Sequence, residues 1–150
     1  MKNIIITLAL LFGISGLSQA QEKFDQELAD KVGADPYGMK KYVIAFLYRG
    51  DRVNEYSAEE RAELQKGHMA NISRLAEEGK MVLAGPFFGN EDLRGLFFFD
   101  VQSIEEAQAL TESDPSIKAG VLKMELKEWY GSAALPLLFD LHSKIAKEDI

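Results

Sequence analysis

The sequence predicts an α+β split sandwich, an antiparallel sheet with two helices on one face, and three observations lead there. Two segments, Met39 to Tyr48 (MKKYVIAFLY) and Leu93 to Val101, are apolar at nearly every position, as strands covered on both faces are. Val121 to Tyr130 instead alternates, with Leu122, Met124 and Leu126 against Lys123, Glu125 and Lys127, the pattern of an edge strand with one wet face. Two capping boxes, Ser57 with Glu60 and Ser103 with Glu106, open helices between the strands. The order is therefore strand, helix, strand, strand, helix, strand (βαββαβ). In the split βαβ arrangement the fourth strand lies beside the first, and the third separates the first from the second.

The first twenty residues are expected to stand apart from this domain. Met1-Lys2-Asn3 is a short basic start, Ile4 to Gly16 is apolar, and Ser18-Gln19-Ala20 is a small-residue cleavage pattern, so residues 1–20 read as a signal peptide. The expected location is outside the cytoplasm, periplasmic or secreted, with no membrane association once the leader is removed. The chain has no cysteine, which excludes a disulfide scaffold and a lipid-anchored lipoprotein. Its 17 basic residues, 16 without Lys2, face 24 acidic ones, for a formal charge of −8 after cleavage. No basic patch is present, so a nucleic-acid partner is not expected.

Residues 21–38 read as an approach segment: Phe24, Leu28 and Val32 share a helical face, and Gly33 with Asp35-Pro36 ends the helix. Such a helix would dock on the domain or on a second subunit. After the first strand and a polar loop, Ser57 caps a helix expected over Ala58 to Glu78, stopped by Gly79. Leu64, His68, Ile72 and Leu75 share its inner stripe. Met81 to Ala84 is a short strand stopped by Gly85-Pro86, and Phe87 to Asp92, with Gly89-Asn90, is a turn. In the helix after Ser103, Ile104, Ala107 and Leu110 face inward. Asp114 then caps a short turn begun by Pro115 and closed by Gly120. Residues 132–150 are expected to form a C-terminal amphipathic helix bearing Leu138, Leu141 and Ile145. Two helices cover only one face of the sheet, yet its central strands are apolar on both. A homodimer with sheets back to back would cover the other.

His68 raises the question of function, because an inward-facing imidazole must find a partner or lose about 1 to 3 kcal/mol. A backbone carbonyl would make it a structural histidine, whereas a carboxylate would make it a candidate base. No phosphate loop, dinucleotide fingerprint or nucleophile-elbow serine is present. His68 and His142 lie in different elements with no cysteine beside them, so no metal site is expected. Gly85-Pro86 either simply ends a strand or forms a pocket wall, with Phe87 or Phe88 in apolar contact with a ligand. Arg94 is either a surface residue or the partner of an anionic ligand.

Several stretches carry a family resemblance: KYVIAFLY, HMANISRLAEEGK, MVLAGPF, LRGLFFFDV and SIEEAQALTESDPSIKAGVLKMELKEWYG. Over about Met39 to Gly131 the chain resembles the YCII-related (YciI-like) family of the dimeric α+β barrel superfamily. The resemblance implies a ferredoxin-like fold, a homodimer and a His-Asp pair in a small pocket. By motif, the pair is His68 in KGHMAN and Asp114 in SDPSIKAG. It also implies a lyase or isomerase acting on small, often cyclic, oxygenated or halogenated molecules by proton transfer and without a cofactor. A carboxylate bonded to one imidazole nitrogen fixes the tautomer and leaves the other nitrogen as a general base. The alternative is a non-catalytic dimeric small-molecule-binding or accessory protein in which the pair is structural and Asp114 serves only as a cap.

Overall fold

The structure, a computed structural model, describes residues 24–89 and 91–148. The expected signal peptide, Asn90 of the 87–92 turn and the last two residues of the C-terminal segment lie outside them. The elements are α1 (Gln26–Val32), β1 (Met39–Arg49), α2 (Ala58–Glu77), β2 (Met81–Pro86), β3 (Leu93–Phe99), α3 (Ile104–Thr111), α4 (Pro115–Lys118), β4 (Leu122–Ser132) and α5 (Leu137–His142). A single 3₁₀ turn, Val53–Glu55, interrupts the loop before α2.

Local chemistry sets the helix ends. The Ser57 hydroxyl accepts the Glu60 amide while the Glu60 carboxylate accepts the Ser57 amide, so two orphan donors of α2 are satisfied reciprocally. Past its C-terminus Gly79 takes φ of 68°, a left-handed conformation that stops the helix. Ser103 caps α3 by accepting the Glu106 amide, but the Glu106 carboxylate accepts the Gln102 amide and not that of Ser103, so the capping box expected there is only half formed.

The four strands form one antiparallel sheet in the order β2-β3-β1-β4. This is the split arrangement, α+β, that the sequence predicts. Ala45 sits opposite both Phe97 and Leu126, and that register puts Val43, Ala45 and Leu47 on one face with Phe97 and Phe99. Helices α2 and α3 cover this face through Ile72, Leu75, Ala107 and Leu110. Each fully buried Phe or Leu there contributes about 1.5 to 3 kcal/mol.

The opposite face carries Tyr42, Ile44, Phe46, Phe98 and Trp129. The Trp129 indole meets the Phe98 ring edge-on at 5.4 Å and the Tyr42 ring at 6.0 Å. Tyr42 and Ile44 are buried, whereas Trp129 is 38% exposed. After β4 the chain turns at Ala133, whose amide bonds to the Gly38 carbonyl, and α5 packs against β2 at the far edge. The tail thus traverses the width of the sheet.

Four expectations are corrected. The C-terminal helix is confined to Leu137–His142, because β4 pairs through Ser132 with Met39 before the chain can turn. Strand β2 continues through Gly85-Pro86 instead of stopping there. Pro86 is tolerated because β2 is an edge strand with no neighbour on its outer side. Ile104, at the first position of α3, is 37% exposed, so only Ala107 and Leu110 face inward. Helix α1 buries no residue, and Phe24 and Leu28 stay open at 70% and 42%, so its apolar stripe does not dock on this chain.

Candidate active site

The site forms where α2 crosses the short helix α4. Gly67 makes the crossing possible: a Cβ there would lie 2.9 Å from Cγ of Pro115, so a side chain at this position would push α4 away. Ser116 secures the contact, its hydroxyl donating to the Leu64 carbonyl at 3.2 Å. One turn further along α2, the Ser113 hydroxyl donates to Asn71 at 3.0 Å, and Arg74 donates to both residues. The segment Ser113–Ser116 is thereby fixed against α2 on either side of Asp114.

Asp114 is fully buried and uses its two oxygens differently. Oδ1 accepts the Ser116 amide at 2.8 Å, the N-cap bond of α4, and Oδ2 lies 2.7 Å from Nδ1 of His68. The cap and the histidine partner, alternatives in the sequence, are both present. Burial alone would raise the Asp114 pKa. The hydrogen bond and charge of His68, with the amides of Ser116 and Ile117, outweigh it and hold the carboxyl below its ordinary value. A carboxylate only accepts hydrogen bonds, so Nδ1 of His68 must donate.

That assignment leaves Nε2 as the free position on the ring. Among the described residues it has no hydrogen-bond partner, and it is not sealed from solvent, since no buried side-chain nitrogen lacks a partner. His68 lines a cavity of about 550 Å³ between α2 and the sheet, within the range of small-molecule sites. Its ring stacks on Phe97, centroids 5.7 Å apart at 27°, which fixes the imidazole plane. Leu47, Ile72, Phe97 and Leu122 supply the apolar walls.

Of the other residues singled out in the sequence, Gly85, Pro86 and Arg94 line this cavity. Phe87 and Phe88 do not; Phe87 is 47% exposed and Phe88 fully so, because both follow the end of β2 at Pro86. Arg94 arrives through a bulge. Leu47 pairs with Gly95 and Tyr48 with Leu93, so Arg94 is the extra residue, and bulges re-aim side chains in this way. Sequence reasoning missed Gln65, Arg61, Ser73 and Ser116 as lining residues. Gly67 offered a signal, since glycine within a helix costs about 1 kcal/mol relative to alanine and such a position often marks close packing. Among the described residues no group of three or more His, Asp or Glu side chains is placed to hold a metal ion, and no helix is long and apolar enough to cross a membrane.

Comparison with known proteins bears on the same region. The model of the YCII-related domain matches residues 41–130, from β1 to β4 and including both halves of the His68–Asp114 pair. The uncharacterized protein YjpA of Bacillus subtilis is 30% identical over 63 residues, covering 42% of this chain and 72% of its own. Protein YciI of Escherichia coli is 29% identical over 87 residues, covering 53% of this chain and 87% of its own. Among solved structures, 5-chloro-2-hydroxyhydroquinone dehydrochlorinase (TftG) of Burkholderia phenoliruptrix, in complex with 2,5-dihydroxybenzoquinone, matches with a TM-score of 0.45 and 19% identity. That match covers 60% of this chain and 93% of the other. With the family match spanning the sheet, α2 and α3, the chain belongs to the YCII-related domain family.

Proposed function

We propose that the protein is an exported, cofactor-independent lyase or isomerase in which His68, held by Asp114, moves a proton on a small molecule. The observation that carries the proposal is the division of the imidazole: Nδ1 is bound to a buried carboxylate, and Nε2 is left at the wall of a cavity of about 550 Å³. A substrate C–H made acidic by a neighbouring carbonyl gives its proton to Nε2. The Asp114 carboxylate then faces the charge that forms on the ring. Returning the proton to another carbon completes an isomerisation. Loss of a leaving group from the adjacent carbon, with the C–H electron pair forming the new double bond, completes an elimination. Either sequence moves only protons and electron pairs, which one positioned base supplies.

Export rests on the reading of residues 1–20 as a leader, and mass spectrometry of the protein from the exporting cell should find Gln21 as its first residue. Dimerisation rests on the partly exposed aromatic side chains of the sheet face opposite α2 and α3, Phe98 and Trp129 among them. For the reaction itself the test is His68→Asn, assayed against a panel of small cyclic hydroxylated, ketonic and halogenated compounds. Turnover found with the unmodified protein should fall at least about 10²-fold, with folding unchanged by circular dichroism. Full turnover in that variant would make the histidine structural and leave the binding-protein reading.

A further inference from the structure

The charge around the cavity opposes the charge of the chain. Formal net charge is −7, with 24 acidic residues, yet among the described residues no Asp or Glu lines the cavity, while Arg49, Arg61 and Arg94 do. None of these guanidiniums is paired with a carboxylate in the described structure. Each makes its hydrogen bond to a neutral oxygen: Arg49 to the Asn54 side chain at 3.0 Å, Arg61 to the Tyr56 carbonyl, and Arg94 to the Glu91 carbonyl at 3.2 Å. The other arginines of the described domain, Arg52 and Arg74, do form ion pairs, with Glu55 and Glu78. Arg49 also borders an outer recess that contains Asp51 and Asp92, so Arg61 and Arg94 carry most of the argument.

These two approach the cavity from opposite walls, Arg61 from the end of the first turn of α2 and Arg94 from the β3 bulge. Each keeps donors free in a planar fork that matches a carboxylate. His68 follows Arg61 by two helical turns, about 10 Å along the axis, a gap that one ring bearing a carboxylate spans. Leu47, Ile72 and Phe97 line the same cavity.

We propose that the cavity binds a small organic carboxylate, its apolar ring or chain against Phe97 and Ile72 and its carboxylate on Arg61 and Arg94. The proposal rests on the catalytic reading only in taking this cavity as the ligand site; it does not require that His68 turn the ligand over. The probes are benzoate and cyclohexanecarboxylate, each beside its neutral amide, titrated into the mature protein with NMR of the Ile72 and Met69 methyl groups. Both acids should give saturable shifts and bind at least about tenfold tighter than their amides, and Arg61→Gln and Arg94→Gln should each weaken the acids by roughly tenfold. Arg61 is exposed and Arg94 half-buried, and circular dichroism reports whether the variants fold. Equal binding of acid and amide, absence of saturable shifts with either acid, or undiminished binding in the folded double variant would overturn the proposal. Acids that bind without reacting support it and count only against the catalytic reading. Neutral compounds that are turned over while acids fail to bind overturn it and leave the catalytic reading standing.

Discussion

Helix α2 carries one inner stripe along its length, but its two halves meet different surroundings. In the C-terminal half Leu75 is 1% exposed and packs into the apolar cluster with Val43, Phe97 and Phe99. On the N-terminal side, up to His68 just past the midpoint, Gln65 and His68 border open space, and the contact with α4 passes through Gly67, Pro115 and Ser116. A helix can be held by apolar packing at one end and by a short polar brace at the other. The braced end is the one free to leave a cavity against the sheet.

Substitutions should separate the halves. The largest effect on stability is expected from Leu75→Ala, which removes a buried side chain from a region that cannot collapse around it. Denaturant unfolding should show a loss of about 2 to 5 kcal/mol. At the braced end Gly67→Val forces a branched side chain against Pro115. The expected loss is about 1 to 3 kcal/mol, together with displacement of Asp114 from His68, visible in the imidazole resonances. Asp114→Asn keeps the shape and one acceptor but removes the carboxylate. Stability should fall by about 1 to 3 kcal/mol, and any turnover by about 10²-fold or more.

The same carboxyl gives a pH signature. Its folded-state pKa is lowered, so its contribution to stability is complete above the unfolded value near 3.8 and is lost as pH falls through the folded one. The stability gap between the unmodified protein and Asp114→Asn should therefore narrow as the pH falls through the folded-state value in acid, which unfolding curves at a series of acid pH values will show. The smallest effect is expected at Phe88, fully exposed and away from the cavity, where Phe88→Ala should change stability by less than about 0.5 kcal/mol.

What could be read from the sequence follows the range of the physics. The Ser57–Glu60 capping box, the Ser103 cap, the left-handed Gly79 and the alternation of β4 are local, so the helix starts, the strand order and the inward direction of His68 were legible. The meeting of His68 with Asp114 spans 46 residues, and only motif resemblance anticipated it. A pocket beside the pair was anticipated only by resemblance, because a gap depends on how far α2 stands from the sheet, and no single residue encodes that distance. Arg94 was legible as one of two alternatives, a surface residue or the partner of an anionic ligand, and what turns it to the cavity is a bulge opposite Leu47 and Tyr48 that the sequence does not mark. The length of α5 was misread because apolar spacing in Leu138, Leu141 and Ile145 is compatible with a helix that β4 pairing and the following turn keep short.

The claim at the centre is that Asp114 fixes His68 with its proton on Nδ1 and its lone pair on Nε2, open to the cavity. Long-range nitrogen–proton NMR of the mature protein, at a pH where the ring is neutral, tests this without a substrate, with His142 as the internal comparison. The expected result is a pyrrole-type Nδ1 and a pyridine-type Nε2 for His68, a pattern that Asp114→Asn weakens. An Nε2–H tautomer, or a pattern indifferent to Asp114, would mean that the histidine is not held as a base facing the cavity.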